Sequence, residues 1–303
     1  MKKIKGPVVP IPAPFNENDG SLDVKTLRSY VSFLVDNGIK NIMSTVGTSR
    51  FNLLNKEEIF LFNETIVEAC KGKAFAIVAN APYGWQQDAI DYAKHAERIN
   101  ADAYLLIHPD RNYGDEKVYK FYKNVSESVD VDIMIHEMPL RNGIGGGQVQ
   151  YSLSLLEKLF TIPNIIGLKE EALDPVHSTK IVKEFSSYKS IVGAGGGMSR
   201  YLRDYWLGAE TFLSGIGNFI PKIELDFFDN MQNENFKAAH ELVYNVEIPY
   251  FNLTVPMGWH LTLKEALEMK GLFKSSNERM PLERISKENR NILKQAMIKN
   301  GWL

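Results

Sequence analysis

Short apolar runs rich in β-branched residues alternate along this chain with longer amphipathic stretches, which leaves few folds open. The strand candidates are GPVVPI, NIMST, FAIVAN, DAYLLI, DIMIHE, NIIGLK, KSIVG and TFLSG. Helical patterns lie between them, as in 22–37, 56–71, 85–100 and 117–129. The unit recurs roughly every 22 to 34 residues, a βα spacing. Strand followed by helix, without paired hairpins, predicts a parallel sheet. Eight such units favour closure into a (β/α)8 TIM barrel over an open doubly wound sheet, and the first unit has no GxGxxG. Past the eighth strand only helical segments remain, broken by Pro249, Pro256 and Pro281. The expected division is therefore a barrel over 1–233 and a C-terminal helical extension over 234–303, packed on the barrel or on a neighbouring subunit.

The chain has 303 residues, 44% of them hydrophobic and 24% charged, enough for a large core. A net charge of −2 provides no footprint for nucleic acid or an acidic membrane surface. The single cysteine, Cys70, excludes an internal disulfide framework and a cysteine-based zinc cluster, and reads as a core thiol. Pro7, Pro10, Pro12 and Pro14 break the apolar N-terminal run, so it does not read as a secretory signal. No run of eighteen apolar residues follows, and the expected location is the cytoplasm.

In a (β/α)8 barrel, chemistry gathers where strands end at the C-terminal face. That filter selects Gly47-Thr48-Ser49, then His108 with Asp110 and Arg111, then His136-Glu137 with Arg141. It also selects Lys169-Glu170 and the loop Gly193 to Gly197. Strand alternation puts Ile165, Gly167 and Lys169 on one face, so Lys169 points into the barrel mouth if Ile166 and Leu168 meet the helices. A desolvated ammonium there has a lowered pKa and exposes a nucleophilic amine. Gly167 leaves room beside the lysine stem. The same parity turns His136 inward, as a proton carrier, a metal ligand or a packed histidine. The Gly-Thr-Ser turn suits a carboxylate, and the glycines around Gly195 allow close backbone approach to a ligand.

Several motifs resemble the dihydrodipicolinate synthase/N-acetylneuraminate lyase superfamily of class I aldolases over nearly the full length. The opening from Ile11 to Asp23 is similar to the family's first βα loop, and Val46 to Ser49 resembles its G-T-T-G-E turn. The strand N-I-I-G-L-K-E, Asn164 to Glu170, resembles the one whose lysine forms the Schiff base. The stretch Leu261 to Leu272 resembles the family's C-terminal helix. The resemblance implies a homotetramer or homodimer with no metal or organic cofactor, and a small-molecule 2-keto acid as substrate. It implies Lys169 as the imine-forming lysine, Thr48 and Ser49 as holders of the keto-acid carboxylate, Leu213 in the pocket wall, and Arg141 on a second carboxylate.

Departures from the pattern are equally informative. The family's Y-N-V-P motif reads H-E-M-P, so His136 stands where the proton-carrying tyrosine is expected, with Thr48 as its expected hydrogen-bond partner. P-Y-Y-N reads P-D-R-N, giving Asp110 and Arg111, and the glycine of G-T-T-G-E becomes Arg50. Imidazole titrates near 6.5 and phenol near 10, so the second half-reaction is expected to differ from that of dihydrodipicolinate synthase. The expectation is a lyase, aldolase or dehydratase, acting on pyruvate or a 2-keto-3-deoxy sugar acid. Arg111 and Arg141 would face an anionic distal group. Two alternatives remain open: a metal-dependent lyase using His108, Asp110, His136 and Glu137, and a non-catalytic 2-keto-acid sensor.

Overall fold

Eight strands, each buried on both faces, pair in parallel and in sequence order until the last meets the first. They are β1 (Gly6–Pro10), β2 (Asn41–Met43), β3 (Phe75–Ala79), β4 (Ala103–Ile107), β5 (Ile133–Glu137), β6 (Ile165–Glu170), β7 (Ser190–Gly193) and β8 (Thr211–Leu213). This computed structural model describes residues 3–109, 114–138, 150–172 and 174–303. Val8 of β1 pairs with Asn41 on one side and Leu213 on the other, which closes the ring. The expected (β/α)8 barrel is therefore what the chain forms.

The barrel helices are α1 (Val24–Asp36), α2 (Lys56–Cys70), α3 (Gln86–Arg98), α4 (Asp115–Ser126), α5 (Leu153–Phe160), α6 (Pro175–Phe185), α7 (Gly197–Tyr205) and α8 (Pro221–Gln232). Local chemistry starts several of them. Asp23 accepts from the Thr26 N–H at 2.9 Å to open α1, and Asn55 with Glu58 forms a capping box on α2. Asp174 caps α6, with Pro175 in its first turn, where the missing N–H is not needed. Among the described residues, no helix is long and apolar enough to cross a membrane.

One irregularity sets the geometry of the mouth. Between β5 and β6 the register shifts by one residue: Ile133 pairs with Ile165, but Met134 pairs with Gly167. Ile166 is the extra residue of a bulge, and a one-residue slip exchanges the faces of everything beyond it. The shift makes His136 the direct partner of Lys169. The bulge interrupts the simple alternation expected from Ile165 to Lys169. It also gives Gly167 a different purpose from the one read in the sequence, because a Cβ there would collide with the Ser190 carbonyl oxygen of β7. Gly167 admits the neighbouring backbone rather than the lysine stem.

Beyond α8 the chain continues through α9 (Phe236–Leu242), a π-helical segment (Val243–Glu247), α10 (Ile248–Thr254), α11 (Trp259–Met269) and α12 (Lys287–Lys299). These helices pack over the barrel, and a buried charge cluster fastens them to the loop after β2. The Arg50 guanidinium contacts Glu278 at 2.8 Å, and Lys264 of α11 reaches the same carboxylate at 3.3 Å. Arg50 adopts φ 59°, the left-handed conformation that favours glycine. Its ion pair with the extension offsets the cost of that conformation. Burial pushes the Lys264 ammonium down to about 8, and Glu278 opposes the shift.

Removing the shared carboxylate strands two buried cations. Glu278→Ala is expected to lower the unfolding free energy by about 3–5 kcal/mol, as for other broken buried ion pairs. Chemical denaturation of the variant beside the parent protein measures this, and a loss below about 1 kcal/mol would mean that the cluster does not anchor the extension.

Candidate active site

The mouth of the barrel encloses a cavity of about 450 Å³, between the C-terminal ends of the strands and the extension helices. Lys169, His136 and Glu171 form one wall. Thr45, Gly47 and Thr48 come from the loop after β2, while Phe251, Val255, Trp259 and His260 come from α10, α11 and the turn between them. Strands β2 and β6 are four positions apart in an eight-membered ring, so the lysine and the threonine loop face each other across the opening.

Lys169 is only 3% exposed. Its Nζ lies 2.6 Å from Glu171 Oε2 and 3.0 Å from His136 Nε2, and that imidazole nitrogen is itself 2.8 Å from the same carboxylate oxygen. The three side chains form a closed triangle. Burial pulls the lysine pKa below its ordinary value, and the Glu171 charge opposes that shift. Burial alone would raise the Glu171 carboxyl, but the Lys169 and His136 charges outweigh it and hold it well below the usual carboxylate range. Burial thus biases the lysine toward the neutral amine that a nucleophile requires, with the His136 imidazole in reach of its proton.

Alternation along β6 separates two adjacent carboxylates. Glu171 follows Lys169 by two residues and joins it in the cavity. Glu170 lies outside the barrel wall, where it is clamped by Arg200, accepts from Ser178 Oγ at 2.9 Å and from the Ala172 N–H at 2.6 Å. Strand-end position alone selects Lys169 and Glu170 and leaves out Glu171. The period of two that placed Lys169 inward also reaches Glu171, so that signal was available.

Glu137 is likewise outside the wall, accepting from the Tyr151 N–H at 2.7 Å, and burial pushes its carboxyl up to about 8. His136 and Glu137 face opposite sides of β5 and cannot share an ion. His108 Nδ1 sits 2.9 Å from the Pro109 carbonyl, and its ring packs edge-on against Phe121 of α4. The convergence that the metal-dependent alternative needs is not present among these three residues. Asp110, Arg111 and Arg141 lie outside the described residues.

The loop after β2 departs from expectation in two respects. Thr48 lines the cavity, but its Oγ1 meets His260 Nε2 at 3.3 Å, so its partner is the extension histidine rather than His136. Ser49 is fully buried: its hydroxyl donates to the Ile11 carbonyl at 2.5 Å and accepts from the Thr45 N–H at 2.9 Å. Those bonds tie the loop to the end of β1 and leave nothing to hold a carboxylate. The backbone N–H groups of Thr48 and Ser49 turn back to Thr45, to its hydroxyl at 3.2 Å and its carbonyl at 3.1 Å.

Leu213, at the end of β8, and Gly195 line the cavity as expected. The glycine run, however, accommodates the protein itself. Gly195, Gly196 and Gly197 all have positive φ, and a Cβ on Gly197 would overlap the Glu247 carboxylate. Glu247 accepts the Met198 and Ser199 N–H groups at 2.6 Å each, which fills the N-terminus of α7, a ready place for an anion. Burial pushes its carboxyl up to about 8.

A closed parallel barrel with a desolvated lysine ending its sixth strand has the form of a class I lyase. The family model described as the dihydrodipicolinate synthetase family matches residues 3–300, and the chain belongs to that family and is a lyase. It is 27% identical to a protein named probable 5-dehydro-4-deoxyglucarate dehydratase from Bacillus licheniformis, over 94% of this chain and 92% of that one. It is also 27% identical to a 4-hydroxy-tetrahydrodipicolinate synthase from Methanothrix thermoacetophila, over 94% and 93%. Among solved structures, dihydrodipicolinate synthase from Aquifex aeolicus matches with TM-score 0.85 at 26% identity, covering 99% of each chain. N-acetylneuraminate lyase from Fusobacterium nucleatum shares the fold with TM-score 0.86 at 20% identity, over 97% of this chain and 98% of that one.

The Ser49 geometry separates support from binding. Ser49→Ala leaves a buried carbonyl and a buried N–H without their partner and should cost about 1–3 kcal/mol of stability. Affinity for pyruvate, measured by titration at a temperature where the variant is folded, should stay within about threefold of the parent. A tenfold loss, about 1.4 kcal/mol, would restore Ser49 to the binding site.

Proposed function

We propose that this protein is a Schiff-base-forming lyase that acts on a 2-keto-3-deoxy sugar acid, by dehydration or by retro-aldol cleavage, with Lys169 as the nucleophile. The observation that carries the reading is the buried Lys169 amine, within 3.0 Å of His136 and 2.6 Å of Glu171 in a cavity large enough for a small organic acid. The dehydratase relatives, similar over nearly the whole chain, support a sugar acid as substrate.

The lysine nitrogen attacks C2 of the keto acid and water leaves, giving an iminium that makes the C3 hydrogens acidic. Removing a C3 proton yields an enamine. In dehydration the enamine expels the C4 hydroxyl, which takes up a proton and departs as water. In cleavage a base takes the C4 hydroxyl proton, the C3–C4 bond breaks, and the enamine of pyruvate is protonated and hydrolysed. His136 is suited to the C3 proton because it already touches the nitrogen that carries the imine. We assign Thr48, Leu213 and Gly195 to the walls around the substrate, and Arg111 and Arg141 to its distal anionic group.

Borohydride with pyruvate should attach the acid irreversibly to Lys169, read by mass spectrometry of the peptide. Lys169→Arg should abolish labelling, because guanidinium stays protonated. Label on another lysine, or on none across a panel of keto acids, would remove the mechanism. His136→Gln should keep the label yet lose about 10²- to 10⁴-fold in turnover of 5-dehydro-4-deoxyglucarate or another accepted sugar acid. Turnover near that of the parent would make His136 structural. With no tyrosine in H-E-M-P, condensation of pyruvate with aspartate semialdehyde should be negligible. Efficient turnover in a coupled assay would show that the departures leave the synthase reaction intact.

A further inference from the structure

Imine formation places opposite demands on the two sides of the reacting carbon. Two protons must leave the lysine nitrogen, and two must reach the C2 oxygen before it departs as water. The nitrogen side is supplied: His136 Nε2 and Glu171 Oε2 both contact Lys169 Nζ. The same His136 nitrogen is engaged by Glu171 at 2.8 Å, so the histidine is committed to that wall. The oxygen must be served from elsewhere.

Across the mouth, the described polar side chains of the threonine loop and extension that line the cavity are Thr45, Thr48 and His260. The Thr45 hydroxyl accepts the Thr48 N–H at 3.2 Å, and the Thr48 hydroxyl lies 3.3 Å from His260 Nε2. His260 sits in the first turn of α11, half-buried, with one edge on the cavity. Gly47 lies directly beside it, where a Cβ would meet His260 Cε1 at an ordinary contact distance of 3.6 Å. A hydroxyl in contact with an imidazole is a short proton path, because imidazole accepts at one nitrogen while donating at the other.

We propose that His260, acting through the Thr48 hydroxyl, delivers protons to the C2 oxygen of the keto acid as the imine with Lys169 forms. The inference rests on the Schiff-base reading above and extends it to a residue of the extension. In the step, the nitrogen lone pair forms the C–N bond while the carbonyl π electrons move to oxygen. His136 accepts the nitrogen's protons in turn and passes them to solvent while Glu171 holds the imidazole, Thr48 supplies the oxygen's and is replenished by His260, and the C–O bond then breaks to release water. Protons lost and gained are equal, with solvent returning them between the walls. Burial first, and then the Arg50 charge, push the His260 imidazole down to about 4, so near pH 7 it is in the neutral form that carries both a donor and an acceptor.

The test uses pyruvate and the full-length protein: rapid mixing, borohydride quench at graded times, and mass spectrometry of the Lys169 peptide. His260→Ala should slow labelling about 10²-fold, reach the same final extent, and recover in part when imidazole is added to the buffer. Thr48→Val should slow labelling similarly without recovery by imidazole. A His260→Ala rate within about threefold of the parent, or a slowed rate that imidazole leaves unchanged, would overturn the proposal. No label on Lys169 of the parent protein at any time is a different result, and it would remove the Schiff-base reading itself.

Discussion

The hydrogen bond between His136 and Lys169 depends on a single extra residue. If β5 and β6 kept the register of Ile133 and Ile165, His136 would lie beside Leu168 and Lys169 would lie beyond it. Ile166 absorbs the difference, and the two titratable side chains meet at the rim of the same face. The bulge needs β7 to approach closely, which Gly167 permits by having no side chain against the Ser190 carbonyl. Outside the wall, Glu170 ties the end of β6 to α6 and α7 through Ser178 and Arg200. A buried ammonium held in one position must be positioned by its backbone, and these contacts fix that backbone on both sides.

Much of the architecture was readable from the sequence. Eight β-branched runs at barrel spacing predicted the sheet, because parallel strands covered on both faces must be nearly continuous in apolar residues. The position of Lys169 and His136 at the barrel mouth was legible because alternation and strand-end position are local properties. Glu171 obeys the same alternation, two residues past the lysine. His260 had no local signal: it occupies the first turn of an ordinary amphipathic helix, and only the tertiary fold carries it to Thr48. The misreading of Ser49 has the same origin. A hydroxyl in a tight turn looks available until the Ile11 carbonyl is placed 2.5 Å away.

The glycine-rich loop after β7 faces the cavity on one side and the extension on the other. Three consecutive glycines with positive φ do allow a carboxylate to approach the backbone and the start of α7. The carboxylate is Glu247, brought by a π-helical segment whose extra residue per turn turns the side chain toward the barrel. Buried carboxyls at Glu247 and Glu137, both pushed up to about 8, surround the site without entering the cavity.

Arg50 links the loop after β2 to Glu278, and the same loop presents Thr48 to the cavity. The extension in turn supplies Phe251, Val255, Trp259 and His260 to the opposite rim. The cavity is thus assembled from two parts of the chain that are far apart in sequence. Substitutions in the late helices can reshape that cavity while the strand that carries Lys169 stays untouched. One end of the chain can recut the walls of the cavity without moving the lysine at its base.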